Sequence, residues 1–244
     1  MSGAWAIFYR EMLILRSRLG RQLANDAISP LLYIIAFGWG MGRGVTMEGV
    51  DYLVYMLPGL MALSSMSRSF SISSEINIAR FYWHTFEEFQ TAPVAPWFIV
   101  LGEVFGGVVR GFLAVAVVAC LALISGVGLK FGPGLLLGVF MNCFLFASAA
   151  VLAAMVVRSH ADQSNLTGFV ITPMSFLCGT FFSLDKLPAW AAGAIETLPL
   201  THASHFIRAS TLNQPLPWLS LAVMALYSIA FFCLAVWHVR KASI

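Results

Sequence analysis

Charge is what this sequence has least of. Only 10% of its 244 residues are Asp, Glu, Lys or Arg, and 59% are hydrophobic, against roughly 25% and 45–50% in soluble domains. Water is therefore not the solvent for most of its surface, and the chain reads as a polytopic membrane protein. Lysine is scarcer still. Lys130, Lys186 and Lys241 are the whole supply, and none follows a G-x-x-x-x-G-K-[ST] loop of the kind that cradles nucleotide phosphates. The chain cannot hydrolyse ATP on its own. A G-x-S-x-G elbow and an H-E-x-x-H helix are missing too, so no nucleophile or zinc constellation is in sight. Cys120, Cys143, Cys178 and Cys233 stand singly in apolar segments, without C-x-x-C spacing, and are expected to be small buried packers. His202 and His205 are three apart but lack an acid or thiol at ligand spacing, which leaves them a packing role rather than a metal. The formal charge of +3 is dispersed and gives no reason to expect nucleic acid as a partner. No small-residue cleavage site follows a short apolar core, so the first membrane helix is expected to serve as the insertion signal.

What is there is a series of apolar runs. A span needs about 20 mostly apolar residues, and six segments meet that need: 24–41, with Pro30 in its first turns, then 52–74, 98–125, 133–157, 166–182 and 216–237. Leu57-Pro58-Gly59-Leu60 interrupts the second and predicts a local kink. Residues 2–23 form a basic amphipathic stretch, with Trp5, Phe8, Tyr9, Met12, Leu15 and Leu19 on one broad face and Arg10, Arg18 and Arg21 largely opposite. It is either a helix lying along the membrane surface or a plain basic flank. With both termini inside, Arg10, Arg16, Arg18, Arg21, Arg80, Arg158, Arg240 and Lys241 fall on the cytoplasmic side, and Arg43, Lys130, Lys186 and Arg208 outside. That asymmetry independently favours six spans.

Three charges within the spans bear on function. Arg68 lies in the second, and Glu103 and Arg110, seven apart and so on nearly one face, lie in the third. An Arg at mid-membrane costs roughly 2.5–3.5 kcal/mol, so these groups should face protein or water, with Glu103 paired to Arg68 or Arg110. A structural ion-pair network and a polar lining for a substrate route are both open. Gly102 with Gly106, and Gly107 with Gly111, make two small-x-x-x-small pairs suited to close helix approach.

Two further stretches do not behave as spans. Between the second and third, residues 75–96 interleave aromatics and acids, with Phe86-Glu87-Glu88-Phe89 at the centre and Pro93 as a stop. A short helix over 81–92 is expected outside the membrane. On its residues alone the favoured reading is a solvated cytoplasmic loop that its glutamates keep wet. A Glu-Glu pair also occurs in some intramembrane peptidases, but the Arg such sites place shortly after it is missing. The second stretch is 168–214, where Asp185, Lys186, Pro188, Trp190 and Glu196 break an apolar run. From composition that mixture suits equally an ordinary outer loop or a short hairpin lying in or dipping back into the interface, where Trp sits at headgroup depth.

Pro173, Phe176, Leu177, Gly179, Phe181, Phe182, Leu187-Pro188-x-Trp190, Leu198-Pro199-Leu200-Thr201 and Arg208 together resemble the C-terminal signature of ABC type 2 exporter permeases, the membrane subunits of ATP-binding-cassette exporters. Phe86 to Val94 resembles the coupling helix of that family. The resemblance implies an all-α integral membrane protein forming one permease domain over 1–244. It implies an interfacial helix at 1–23 flanking an ATPase, a coupling helix at 81–92, and a re-entrant outer region at 183–215 between spans five and six. Phe86, Glu87, Glu88, Phe89 and Pro93 would contact the ATPase. The implied assembly is a homodimer, or a pair of related permeases, bound to two cytoplasmic ATP-binding subunits in the bacterial inner membrane. ATP and Mg would sit on those subunits, with no cofactor in this chain. The implied work is outward movement of an amphiphile: a polysaccharide, glycolipid or drug-like molecule. The alternative is a carrier or channel independent of ATP and driven through Glu103, although no inverted repeat supports it. The motifs do not choose the cargo.

Overall fold

The computed structural model describes residues 3–42, 44–83, 94–184 and 187–242. Helix α1 (Gly3–Tyr33) runs on into a wider i→i+5 stretch, Ile34–Met41. A two-residue hairpin of β1 (Thr46–Met47) and β2 (Val50–Asp51) turns through Glu48 and Gly49, both at positive φ. There follow α2 (Tyr52–Phe70), α3 (Ile72–Phe81), α4 (Pro96–Ile124) and α5 (Pro133–Val156). Then come α6 (His160–Leu166), a second wide turn at Thr167–Ile171, and α7 (Thr172–Leu177). The chain closes with α8 (Ala189–Glu196), α9 (Pro199–Thr211) and α10 (Trp218–Ala242).

Among the described residues three helices are long and apolar enough to cross a membrane: Pro96–Ile124, Pro133–Val156 and Trp218–Lys241. They match the expected runs 98–125, 133–157 and 216–237 to within a few residues. Both α4 and α5 open with Pro in the first helical turn, where its missing N–H costs nothing.

The other elements depart from expectation at their boundaries. No break separates 1–23 from 24–41, because Gln22, Leu23 and Ala24 offer neither cap nor breaker; α1 passes straight through. Pro30 consequently lies near the end of a long helix rather than in its first turns, and it lacks the N–H that would close on the Asp26 carbonyl. The run 52–74 is two helices that meet at Ser71. The polar turn expected over 158–163 shrinks, since Ser159 caps α6 by accepting a hydrogen bond from the Asp162 backbone N–H at 3.1 Å.

Glycine decides the packing around α4. A Cβ on Gly102 would lie 2.8 Å from Ile7, and one on Gly106 would lie 3.1 Å from Glu11, so this pair admits α1. A Cβ on Gly107 would lie 2.8 Å from Ala147, and one on Gly111 would collide with Cys143, so that pair admits α5. The two consecutive motifs thus serve different neighbours, the second also meeting Ser69 of α2, as expected where helices cohere by close approach rather than by exclusion of water. Polar side chains bridge the remaining seams. Asn142 donates to the Ala62 carbonyl at 2.9 Å and to Ser65 at 2.8 Å, and Gln163 bonds Asn77 at 3.0 Å and Ser73 at 2.9 Å. The cysteine expectation needs correction. Cys143 and Cys178 are buried, but Cys120 and Cys233 sit on outward faces of α4 and α10.

Candidate functional site

Two charged centres hold α1 against the bundle, and neither uses the partners expected from the sequence. Arg110, 2% exposed, pairs with Glu11 at 2.8 Å and with Glu75 at 2.5 Å, which ties α1, α3 and α4 to one guanidinium. Arg68 pairs with Asp26, whose carboxylate is fully buried. Glu103 is buried beside this cluster at 3% exposure, but the ion pairs of Arg110 go to Glu11 and Glu75. Glu11 had fallen outside the apolar face read for residues 2–23. The face of α1 that packs inward is Ile7, Glu11 and Leu15, at i, i+4 and i+8, while Trp5, Tyr9 and Leu19 stay exposed.

Beside these pairs an open groove runs along α1 and α2. Its larger part, about 260 Å³, is lined by Asn25, Asp26, Ser29 and Tyr33 of α1, Ser64, Ser67 and Arg68 of α2, and Ser175 of α7. A smaller part of about 140 Å³ shares Asn25 and Arg68 and adds Arg18, Arg21, Gln22, Ser71 and Glu75. Asp26 Oδ2 has no hydrogen-bond partner among the described residues. In an otherwise apolar protein, a groove lined by hydroxyls, amides and arginines can hold a polar head group that lipid would reject.

The signature residues gather at the other end of the bundle, around the turn that ends α7. Gly179, at φ +68, makes that turn, and its carbonyl accepts Arg208 Nη2 at 2.7 Å. Arg208 Nε reaches the Tyr55 carbonyl at 3.3 Å, and the guanidinium lies 3.9 Å over the Tyr55 ring. Tyr52 donates to the Phe181 carbonyl at 2.9 Å, Tyr55 to that of Phe182 at 3.2 Å, and Ser204 to that of Cys178 at 3.0 Å. The carbonyls of the non-helical turn after α7 are thus satisfied by side chains of α2 and α9, as a protein in lipid requires. Gly59 of the Pro58-Gly59 pair makes this possible, since a Cβ there would lie 2.9 Å from the Thr180 Cα. Phe181 packs its ring against Tyr33 and Phe37 at 5.1 and 5.2 Å.

Other signature residues work locally. Pro188 caps α8, Pro199 opens α9, and Pro173 falls in the first turn of α7. Leu187 donates its backbone N–H to the Leu184 carbonyl at 3.0 Å, and Trp190 projects outward at 80% exposure. His202 lies 3.3 Å from Ser220 Oγ. Burial, with Arg208 and His202 nearby, holds His205 below the usual imidazole range, so it is neutral at pH 7.

Phe86, Glu87, Glu88, Phe89 and Pro93, and with them most of the expected helix 81–92, lie outside the described residues. The flanks of that segment are described. Arg80 bonds the Ala154 carbonyl near the end of α5, and a Cβ on Gly3 would collide with Val94, so the exit of the segment meets the start of α1.

The model of the ABC-2 type transporter family matches residues 3–212. This chain belongs to that family. It is 28% identical over 215 residues to the inner membrane transport permease YadH of Escherichia coli K12, an alignment covering 86% of this chain and 84% of that one. It is also 28% identical over 244 residues to nodulation protein J of Rhizobium meliloti, covering 97% and 92%. With nodulation protein J of Azorhizobium caulinodans the identity is 26% over 243 residues, covering 93% and 94%. The chain is accordingly a multi-pass membrane protein and a transport component of the ABC-2 class, a class that works with ATP-binding subunits.

Proposed function

We propose that this chain is the permease subunit of an ATP-driven exporter in the bacterial inner membrane, moving an amphiphile outward. In this reading it has six spans and pairs with a second copy. Two cytoplasmic ATP-binding subunits, carrying ATP and Mg, supply the power. The observation that carries the reading is the groove along α1 and α2: a membrane family of transport subunits here keeps an open, hydroxyl-rich and arginine-rich cleft where an amphiphile's head group can be sheltered.

Arg110 gives the groove a mechanical context. It joins α1 and α4 to α3, and α3 leads directly into the segment that bears Phe86 to Pro93. A push on that segment by a closing ATPase would reach α1, one wall of the groove, through one guanidinium. The coupling role is tested by replacing Glu87 and Phe89 together by Ala in a reconstituted complex. The expected result is normal membrane insertion with reduced transport per ATP hydrolysed. Unchanged transport and unchanged pull-down of the ATP-binding subunit would overturn it.

A further inference from the structure

The smaller part of the groove has a charge balance that the pairs around it do not cancel. Its wall carries three guanidinium groups, Arg18, Arg21 and Arg68, and one carboxylate, Glu75. Glu75 is already engaged by Arg110 at 2.5 Å. Arg68 reaches Asp26 through Nε and remains 30% exposed to the cleft. Arg18 and Arg21, one turn apart on α1, have no acidic partner among the described residues. Gln22 and Ser71 add neutral hydrogen-bonding groups beside them. The space of about 140 Å³ is several times the roughly 30 Å³ share of one water. Three planar donors lining one small open pocket can seat a tetrahedral or planar oxyanion.

The pocket opens along a helix whose neighbouring outward positions, Leu19, Ile28, Leu31 and Leu32, are exposed and apolar. An anion arriving there is therefore best presented on a molecule that also has a lipid-soluble part. We propose that Arg18, Arg21 and Arg68 bind a phosphate-type anion carried by an amphiphile, at the Arg-lined end of the groove. The proposal deepens the exporter reading by assigning an anionic head group to the cargo, and it rests on that reading only for the claim that the bound molecule is then moved.

The test uses the purified full-length chain in phosphatidylcholine nanodiscs, titrated with fluorescent phosphatidic acid. Saturable binding is expected. Arg21→Gln should weaken it about fivefold, and Arg18→Gln with Arg21→Gln roughly thirtyfold, at about 1 kcal/mol for each arginine near an anionic lipid. Arg16→Gln, exposed on the same helix but outside the pocket, should change it by less than about twofold. Displacement by inorganic phosphate would show that the pocket reads the anion alone; resistance to it would show that the acyl-borne phosphate is the ligand. Either supports the site. Equal weakening by Arg16→Gln and Arg21→Gln, or equal binding of neutral diacylglycerol, would overturn it. Because the readout is binding without ATP, a failure here leaves co-purification with an ATP-binding subunit as a separate test of the exporter reading.

Discussion

The two ends of this bundle use arginine in opposite ways. At the turn after α7, Arg208 is 4% exposed and faces carbonyl oxygens and an aromatic ring, with no acid within ion-pair distance among the described residues. Along α1, Arg68 and Arg110 face carboxylates, and Arg18 and Arg21 face open space. The first arrangement completes the backbone hydrogen bonding of a broken helix and has no slack. The second leaves charge available next to a cleft. A guanidinium that caps carbonyls is a fixed part of the structure, whereas one balanced between acids or facing a cavity can change partners when helices move.

That contrast can be broken at either end. The largest effect should come from Arg110→Gln, which leaves Glu11 and Glu75 without their shared cation and should cost about 3–5 kcal/mol. Adding Glu11→Gln should recover part of the loss in a detergent unfolding assay. No recovery would mean that the Glu11–Arg110 pair does not hold α1 to α4. Arg208→Gln should be next, at about 2–3 kcal/mol for charged hydrogen bonds lost to the Gly179 and Tyr55 carbonyls. No second substitution of a described acid should rescue it, since none among the described residues pairs with it. The smallest effect on stability, within about 0.5 kcal/mol, is expected for Ser67→Ala, an exposed groove position. Transport by the same variant should nevertheless change, which separates a groove that handles cargo from one that merely exists.

The sequence made some of this plain and hid the rest for physical reasons. Helices α4, α5 and α10 were legible because each is an unbroken apolar run of membrane-spanning length. The glycine pairs of α4 announced close packing, but which helix each would meet depends on the three-dimensional arrangement. The family resemblance rested on Gly179, Phe181 and Arg208, and their geometry shows why those residue types sit there: a left-handed turn, an aromatic wedge and a donor for stranded carbonyls. The ion pairs were not legible. Arg68 and Arg110 take partners in α1 and α3 that hydropathy gave no reason to select. Asp26, an acid inside an apolar run, was the available signal for the first of them. The continuity of α1 was hidden because nothing in its sequence marks where an interfacial segment would hand over to a span.

The central claim is that this chain shapes a path whose power comes from a separate subunit. Its most direct test is transport of a labelled anionic amphiphile in proteoliposomes holding the chain alone, or the chain with its co-purified ATP-binding subunit. The account predicts movement only with that subunit and hydrolysable ATP. Movement by the chain alone, driven by an ion gradient and abolished by Glu103→Gln, would contradict it.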